Sequence, residues 1–192
     1  MEFIKNNFFK SAEIIGNFLR VDSNYEKMQD VIKLITEKHI EEYKGLVCGN
    51  GGSATEAMHY AEELTGRFRK DRRALAAISL TDVSHVTCVG NDYGFDQIFS
   101  RAIEAIGKRG DYLIAISTSG NSMNIIKAAE MAKSMNILTI GLLGHDGGAA
   151  KELMDYSFIV SAETSDRIQE VHMLIIHTMI EGIERLMFNE NY

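Results

Sequence analysis

Two stretches at the start of the chain place apolar residues three and four positions apart. In residues 3–20 these positions include Phe8, Ile14 and Phe18, and residues 24–40 repeat the spacing. Such spacing puts the apolar side chains on one face of an α-helix. The pattern therefore predicts two amphipathic helices over 3–20 and 24–40.

From residue 45 onward, short apolar runs alternate with stretches of helical spacing. The predicted strands are 45–48, 75–80, 112–116, 137–142 and 156–160. The predicted helices that follow them are 53–66, 82–89, 95–106, 122–134, 148–153 and 165–188. The strand runs do not alternate between apolar and polar residues, which is typical of parallel strands covered on both faces. The pattern predicts an α/β fold with a doubly wound, five-stranded parallel sheet flanked by helices.

The two leading helices have no place in that sheet. At 192 residues the chain is long enough for one sizeable core, and no linker or repeat divides it. We predict a single domain over 1–192, with helices in 1–40 and the sheet core and last helix in 41–192. We expect the leading pair to pack on a sister subunit or to cap the last helix.

Charge and composition narrow the classes of partner. The formal net charge of −7 argues against binding to a nucleic-acid backbone, and no apolar run is long enough to span a membrane. Residues 1–10 lack an uninterrupted apolar segment, so we expect no secretory signal there. Cys48 and Cys88 lie in predicted interior segments and match no metal or redox spacing. Buried thiols favour a reducing, cytoplasmic location.

Two loops rich in glycine and hydroxyl residues follow predicted strands. Residues 117–122 read Ser-Thr-Ser-Gly-Asn-Ser and come before a helix, and residues 48–53 read Cys-Gly-Asn-Gly-Gly-Ser and also come before a helix. Hydroxyl groups and free amides at a helix start suit a phosphate. Ligands of doubly wound sheets bind beyond the carboxyl ends of the strands, where the strand order reverses. We therefore expect the two loops to form one crevice.

Two predicted helices carry candidates for chemistry. His59 and Glu63 lie four residues apart on one helical face and could share a proton or a metal, or could belong to a solvated acidic face. In the last helix, Gln169 and His177 lie among apolar residues and must find partners, either as satisfied core residues or as functional ones.

Three other segments give weaker signals. The basic residues of 67–73 are typical of a solvated loop, although one arginine could pair with a substrate or a carboxylate. Asn91 and Asp92 precede Tyr93-Gly94 and suggest either turn chemistry or binding of sugar hydroxyls. Residues 144–148 suggest a tight connection from strand to helix.

Taken together, these motifs resemble the sugar isomerase domain (SIS) family and, within it, the sedoheptulose 7-phosphate isomerases, or phosphoheptose isomerases. The resemblance spans roughly residues 1–188 and rests on 48–53, 59–67, 82–85, 89–92, 116–122 and 166–170, together with His172 and His177. It implies a flavodoxin-like SIS fold. It also implies an aldose–ketose isomerase that converts sedoheptulose 7-phosphate to D-glycero-D-manno-heptose 7-phosphate through an enediol, for lipopolysaccharide or another surface glycan.

The resemblance also implies roles for individual residues. The substrate phosphate would be bound by Ser117, Thr118, Ser119 and Ser122. The sugar would be contacted, or its pocket shaped, by Asn50, Gly51, Gly52, Ser53, Asn91, Asp92, Glu63 and Gln169, with Asp166 as a support. One zinc ion per subunit would be held by His59, Glu63, Gln169 and His177, with Glu63 also the base and His177 the acid. The family implies a homotetramer with active sites at subunit interfaces.

The spacing within the last helix raises a difficulty for this ligand set. Gln169 and His177 are eight residues apart, a rise of about 12 Å along an α-helix. They can share a metal only through extended side chains or from different subunits, whereas His172 lies closer to Gln169 and is expected to support the ligands. The chain also lacks the proline that the family commonly has in 73–77.

Two alternatives stay open at this point. SIS domains also occur in non-catalytic sugar-phosphate sensors and in proteins that bind the replication initiator, although these relatives tend to lack the full acid and base set. An isomerase acting on a pentose or hexosamine phosphate is the other alternative, because the sequence does not measure pocket depth.

Overall fold

The computed structural model describes all of residues 1–192. Its helices are α1 (Glu2–Leu19), α2 (Asp22–Ile40), α3 (Gly52–Thr65), α4 (Val83–Asp92), α5 (Ile98–Ile106), α6 (Met123–Ser134) and α7 (Ser165–Met187). Its strands are β1 (Gly45–Gly49), β2 (Ala77–Ser79), β3 (Tyr112–Ser117), β4 (Leu138–Gly144) and β5 (Tyr156–Val160). Short 3-10 turns occupy Phe95–Gln97, Ala149–Leu153 and Asn189–Asn191. The alternation of strands and helices confirms the predicted α/β fold.

All five strands are parallel, in the order β2-β1-β3-β4-β5. This is the flavodoxin-like order, in which the chain reverses direction across the sheet between β1 and β3. Every residue of β1 and β3 is buried. One apolar cluster covers the first face with α2, α3 and α7, and a second covers the other face with α5 and α6. The doubly wound architecture is therefore confirmed.

The leading helices pack against the last one. Helices α1 and α2 both contact α7 and β5, and Lys27 donates a hydrogen bond of 3.0 Å to the carbonyl of Ser157 on β5. His39 on α2 is buried, and its Nε2 lies 2.9 Å from the hydroxyl of Tyr112 on β3. Of the two expected positions for this pair, the structure shows the one that caps the last helix.

Three predictions about the segment from 75 to 92 are wrong in detail. Strand β2 is an edge strand of only three residues, because the amide of Leu75 bonds to the carbonyl of Leu64 on α3 instead of to the sheet. Asn91 and Asp92 form the last turn of α4, and the chain reverses only at Gly94, where φ is +92°. Cys88 is exposed because it lies on the outer face of α4, whereas Cys48 is buried as predicted.

Candidate active site

The loops after β1 and β3 lie next to each other, and a pair of hydrogen bonds joins the loop after β1 to the start of α6. Asn50 follows β1 and Asn124 lies in the first turn of α6, and their side-chain amides exchange two hydrogen bonds of 2.9 and 2.8 Å. The sequence predicted that Asn50 shapes the pocket but gave no signal for Asn124. This reciprocal pair holds the two loops at the point where the strand order reverses.

The loop after β3 folds its own hydroxyl groups back onto its backbone. Ser117 Oγ accepts a hydrogen bond of 3.1 Å from the amide of Gly120, and Ser119 Oγ accepts one of 3.1 Å from the amide of Asn121. The two Oγ atoms lie 3.5 Å apart, so at most one of these O–H groups is used between them. Ser122 is the N-cap residue of α6 and makes no side-chain capping bond. These donors suit an anion at the start of α6.

Gly120 allows this loop to approach its neighbour closely. Its φ is +63°, and a Cβ built there would lie 2.1 Å from the carbonyl oxygen of Gly147. Thr118 turns to the other side, where its hydroxyl lies 3.0 Å from that of Ser165 at the start of α7. The phosphate-type loop is thereby packed between residues 147–148 and α7.

Three side chains from two helices meet where α3 packs on α7. The donor atoms of His59, Glu63 and His177 all lie within 4.8 Å of one another. The Nε2 atom of His59 is 2.9 Å from Nε2 of His177 and 3.3 Å from Oε1 of Glu63. The cluster therefore favours a functional role for His59 over a place on a solvated surface. It also favours a functional role for His177 over that of a hydrogen-bonded core residue. One chain supplies all three groups.

Burial shifts the two proposed catalytic groups in opposite directions. It raises the pKa of Glu63, and the carboxylate of Glu62 raises it further, while His59 acts in the opposite sense. Burial lowers the pKa of His177, and the charges of His59 and Arg69 add to this shift. A raised pKa makes the Glu63 carboxylate a stronger base, and a lowered pKa favours the neutral imidazole at His177.

The orientation of His59 suits a metal ion. Its Nδ1 lies 3.1 Å from a carboxylate oxygen of Glu62, and its Nε2 faces Glu63 and His177. A carboxylate commonly orients metal-ligating histidines in this way. Two imidazole nitrogens and a carboxylate oxygen form a set that zinc accepts. The donor set therefore fits the implied metal.

Gln169 lies on α7, two turns before His177. Its side chain contacts Gly52, the first residue of α3. A Cβ built on Gly52 would lie 2.4 Å from Nε2 of Gln169, so only glycine at this position lets the amide approach the backbone. An open groove of about 510 Å³ runs from this contact to His59. Its lining is Gly52, Thr55, Glu56, His59, Asp166, Gln169, Glu170 and Met173. The role of Gln169 as the fourth ligand stays a prediction.

A buried pair lies beneath this groove. His172 on α7 has no exposed surface, Glu56 on α3 is 5% exposed, and Nδ1 of the first lies 3.9 Å from Oε2 of the second. None of their four polar side-chain atoms makes a hydrogen bond to another protein group. Sequence analysis predicted a supporting position for His172 but did not predict a role for Glu56. The local signal for Glu56 was its position three residues before His59, on the same face of α3.

The remaining predicted site residues lie in different places. Gly51 precedes α3 with a φ of +55°, and Ser53 is buried in its first turn. Asn91 and Asp92 are exposed at the end of α4, where the Asn91 amide donates a 2.7 Å hydrogen bond to Asp92. Neither lines the groove beside His59. Within one chain, the structure does not bring these two residues together with the rest of the site.

Comparison with known proteins defines the class first. The model of the SIS domain family matches residues 8–144, which is more than half of the chain. The chain therefore belongs to the SIS domain family, in agreement with its doubly wound sheet and its loop at the start of α6.

More similar relatives narrow the class. A phosphoheptose isomerase from Fusobacterium nucleatum is 53% identical over 180 residues, covering 94% of this chain and 93% of the relative. The structure of a phosphoheptose isomerase from Neisseria gonorrhoeae superposes with a TM-score of 0.89 at 38% identity, over 95% of this chain and 97% of the other. The structure of a phosphoheptose isomerase from Francisella tularensis superposes with a TM-score of 0.91 at 34% identity, over 96% of this chain and 97% of the other. Within the SIS class, the chain belongs to the phosphoheptose isomerase family.

Proposed function

We propose that this chain converts sedoheptulose 7-phosphate to D-glycero-D-manno-heptose 7-phosphate through an enediol. The observation that carries the mechanism is the meeting of Glu63 and His177, two groups whose pKa values burial shifts in opposite directions. The reaction moves one hydrogen from C1 to C2 and needs a base and an acid. Membership of the phosphoheptose isomerase family supports the choice of substrate.

Each step has a residue to perform it. The Glu63 carboxylate removes the proton from C1, and the electrons of that bond form the C1–C2 double bond of the enediol while the carbonyl oxygen is protonated. His177 relays protons to and from the oxygens, and a proton returned to C2 completes the aldose. Ser117, Thr118, Ser119 and Ser122 bind the phosphate, which holds the sugar chain in one direction.

The same residues form the proposed metal site. His59, Glu63, Gln169 and His177 would hold one zinc ion, and a bound zinc would polarise the carbonyl and stabilise negative charge on oxygen. The orientation of His59 by Glu62 supports this proposal. Metal analysis of protein purified without chelators tests it, since about one zinc per chain is expected, and His59→Ala is expected to lose it.

The finer features of the family are proposals as well. A homotetramer is supported by exposed apolar side chains along α1, among them Phe3, Phe8 and Phe9. Sites completed at subunit interfaces would give Asn91 and Asp92 a place that one chain does not give them. A cytoplasmic location and a heptose product destined for lipopolysaccharide or another surface glycan complete the proposal. No helix is both long and apolar enough to cross a membrane.

An assay with three substrates tests the function against its alternatives. Purified protein is incubated with ketose phosphates of seven, six and five carbons, and aldose formation is measured. We expect the highest kcat/KM for sedoheptulose 7-phosphate. Faster turnover of a shorter substrate would favour the isomerase for another sugar phosphate. No turnover of any substrate, together with binding to a replication initiator, would favour the non-catalytic alternative.

A further inference from the structure

The basic segment after α3, residues 67–73, is bound to α7 by ion pairs and is not a solvated loop. Arg72 donates from Nε to Glu184 over 2.8 Å, and both side chains are 1% exposed. Arg69, which is half exposed, pairs with Glu181 over 2.9 Å. The two glutamates lie three residues apart on α7, so both arginines bind the same side of that helix.

Arg72 also binds the end of α3 directly. Its NH2 group donates 2.6 Å to the carbonyl of Glu63, and its NH1 group donates 2.8 and 3.1 Å to those of Leu64 and Gly66. The last carbonyls of a helix have no intrahelical partner and carry partial negative charge, so a buried guanidinium satisfies both needs. One side chain therefore joins the backbone of Glu63 to α7.

The pairing extends to the end of the chain and to the imidazole of His177. The hydroxyl of Tyr192 donates a 2.7 Å hydrogen bond to the second carboxylate oxygen of Glu184. Phe68, which directly precedes Arg69, places its ring 5.8 Å from the ring of His177. Glu184 itself lies two helical turns beyond His177 on α7. We define Arg72, Glu184 and Tyr192 as the clasp.

We propose that Arg72 and Glu184 are positioning residues for the isomerisation: the clasp sets the spacing of α3 and α7 so that Glu63 meets His177. The assignment of the reaction rests on the proposed function, whereas the spacing is a property of the fold. A buried ion pair adds little net stability compared with apolar residues of the same shape. Its fixed geometry is what links it to the site, since a misplacement of about 1 Å can slow a reaction on the order of a hundredfold.

The test compares two variants that each weaken a buried ion pair. Arg72→Lys keeps the positive charge but cannot bind Glu184 and three carbonyls at once. Lys44→Gln breaks the pair between Lys44 and the fully buried Asp111, which lies at the amino ends of β1 and β3. Both variants are expected to lower the midpoint of thermal unfolding. Kinetics are measured well below both midpoints.

We expect Arg72→Lys to lower kcat on the order of tenfold to a hundredfold, with KM changed by less than about threefold, and Lys44→Gln to leave kcat near the wild-type value. The side-chain nitrogen NMR signals of His59 and His177 should shift in Arg72→Lys and not in Lys44→Gln. Equal kcat values and unchanged histidine signals in the two variants would overturn the proposal.

Two further measurements cover a variant that does not fold and a wild-type chain without activity. If Arg72→Lys does not fold, Tyr192→Phe removes one hydroxyl from the clasp, and it should shift the histidine signals and lower kcat to a smaller extent. Wild-type values for both in Tyr192→Phe would then overturn the proposal. If the wild-type chain shows no isomerase activity, the proposed function fails, and the histidine signals still decide whether the clasp sets the site.

Discussion

Burial shifts the pKa values of Glu63 and His177 in opposite directions, because one group is an acid and the other a base. Removing a carboxylic acid from water favours its neutral form, and removing an imidazole favours its neutral form too, so one pKa rises and the other falls. Pairs of titratable groups whose pKa values are shifted by their surroundings are typical of acid–base catalysts. The surroundings here are the facing sides of α3 and α7.

The first prediction concerns these two residues. Glu63→Gln and His177→Gln keep the size of the side chain but remove the base or the proton relay. Each is expected to lower kcat on the order of a hundredfold to ten-thousandfold. Glu104→Gln, which changes an exposed glutamate on α5, serves as the matched control. Full turnover in either site variant would contradict the assigned roles.

A second prediction concerns the phosphate loop. Gly120→Ala forces a Cβ against the carbonyl of Gly147 at a positive φ, so the loop must move. We expect KM for the phosphorylated substrate to rise and stabilisation by inorganic phosphate in thermal melts to disappear. Gly90→Ala is the control, since a Cβ there meets nothing within 4 Å. Undiminished phosphate stabilisation in Gly120→Ala would argue against the binding role of this loop.

At the scale of elements, α2 is docked on the sheet through a buried histidine. Burial, together with the charges of Arg73 and Arg72, lowers the pKa of His39 to about 4. In the unfolded chain the same histidine titrates near 6.5. As the pH falls from about 6.5 to 4, the unfolded state gains a proton that the folded state does not, and stability is lost.

The third prediction follows from that sign. Acidification from pH 7 to below pH 4 should remove about 3 kcal/mol of unfolding free energy through His39 alone. In urea titrations, His39→Gln should therefore lose less stability than the wild type over this range, whereas the exposed control His145→Asn should behave as the wild type does. Parallel loss of stability in His39→Gln and wild type would contradict the account of His39.

The sequence predicted most elements because their apolar spacing is local. It failed where a contact between distant residues decides the structure: Leu75 bonds to α3 and shortens β2, and Cys88 faces solvent because α4 buries another side. The site shows the same division. The loops and His59 with Glu63 are visible as local motifs, but the pair Asn50 and Asn124 joins residues 74 positions apart and has no local signature.

At the scale of the whole molecule, the strand order places the two loops side by side at the carboxyl ends of the central strands. The loops after β1 and β3 flank the switch point, and α3, which follows the first loop, carries His59 and Glu63. Helix α7 packs beside α3 and supplies Gln169 and His177. One chain brings His59, Glu63 and His177 together, whereas Gln169 lies against Gly52, eight residues before His177 on α7.

The fourth prediction concerns assembly. A chain of 21.5 kDa that forms the proposed tetramer should give a native mass about four times as large. Phe8, which is 76% exposed on α1, is expected to be covered in that assembly, so Phe8→Asp should lower the native mass. A monomer at micromolar concentration in the wild type would contradict the tetramer.

The central claim is that Glu63 and its neighbours move a proton between C1 and C2, and a turnover experiment in D₂O tests it most directly. The wild-type protein is incubated with sedoheptulose 7-phosphate, and the product is followed by proton NMR. The account predicts D-glycero-D-manno-heptose 7-phosphate that carries deuterium at C2, because the proton that Glu63 removes exchanges with solvent before one is returned. Absence of the aldose phosphate would contradict the account, and so would an undeuterated aldose that forms at the wild-type rate when Glu63 is replaced by Gln.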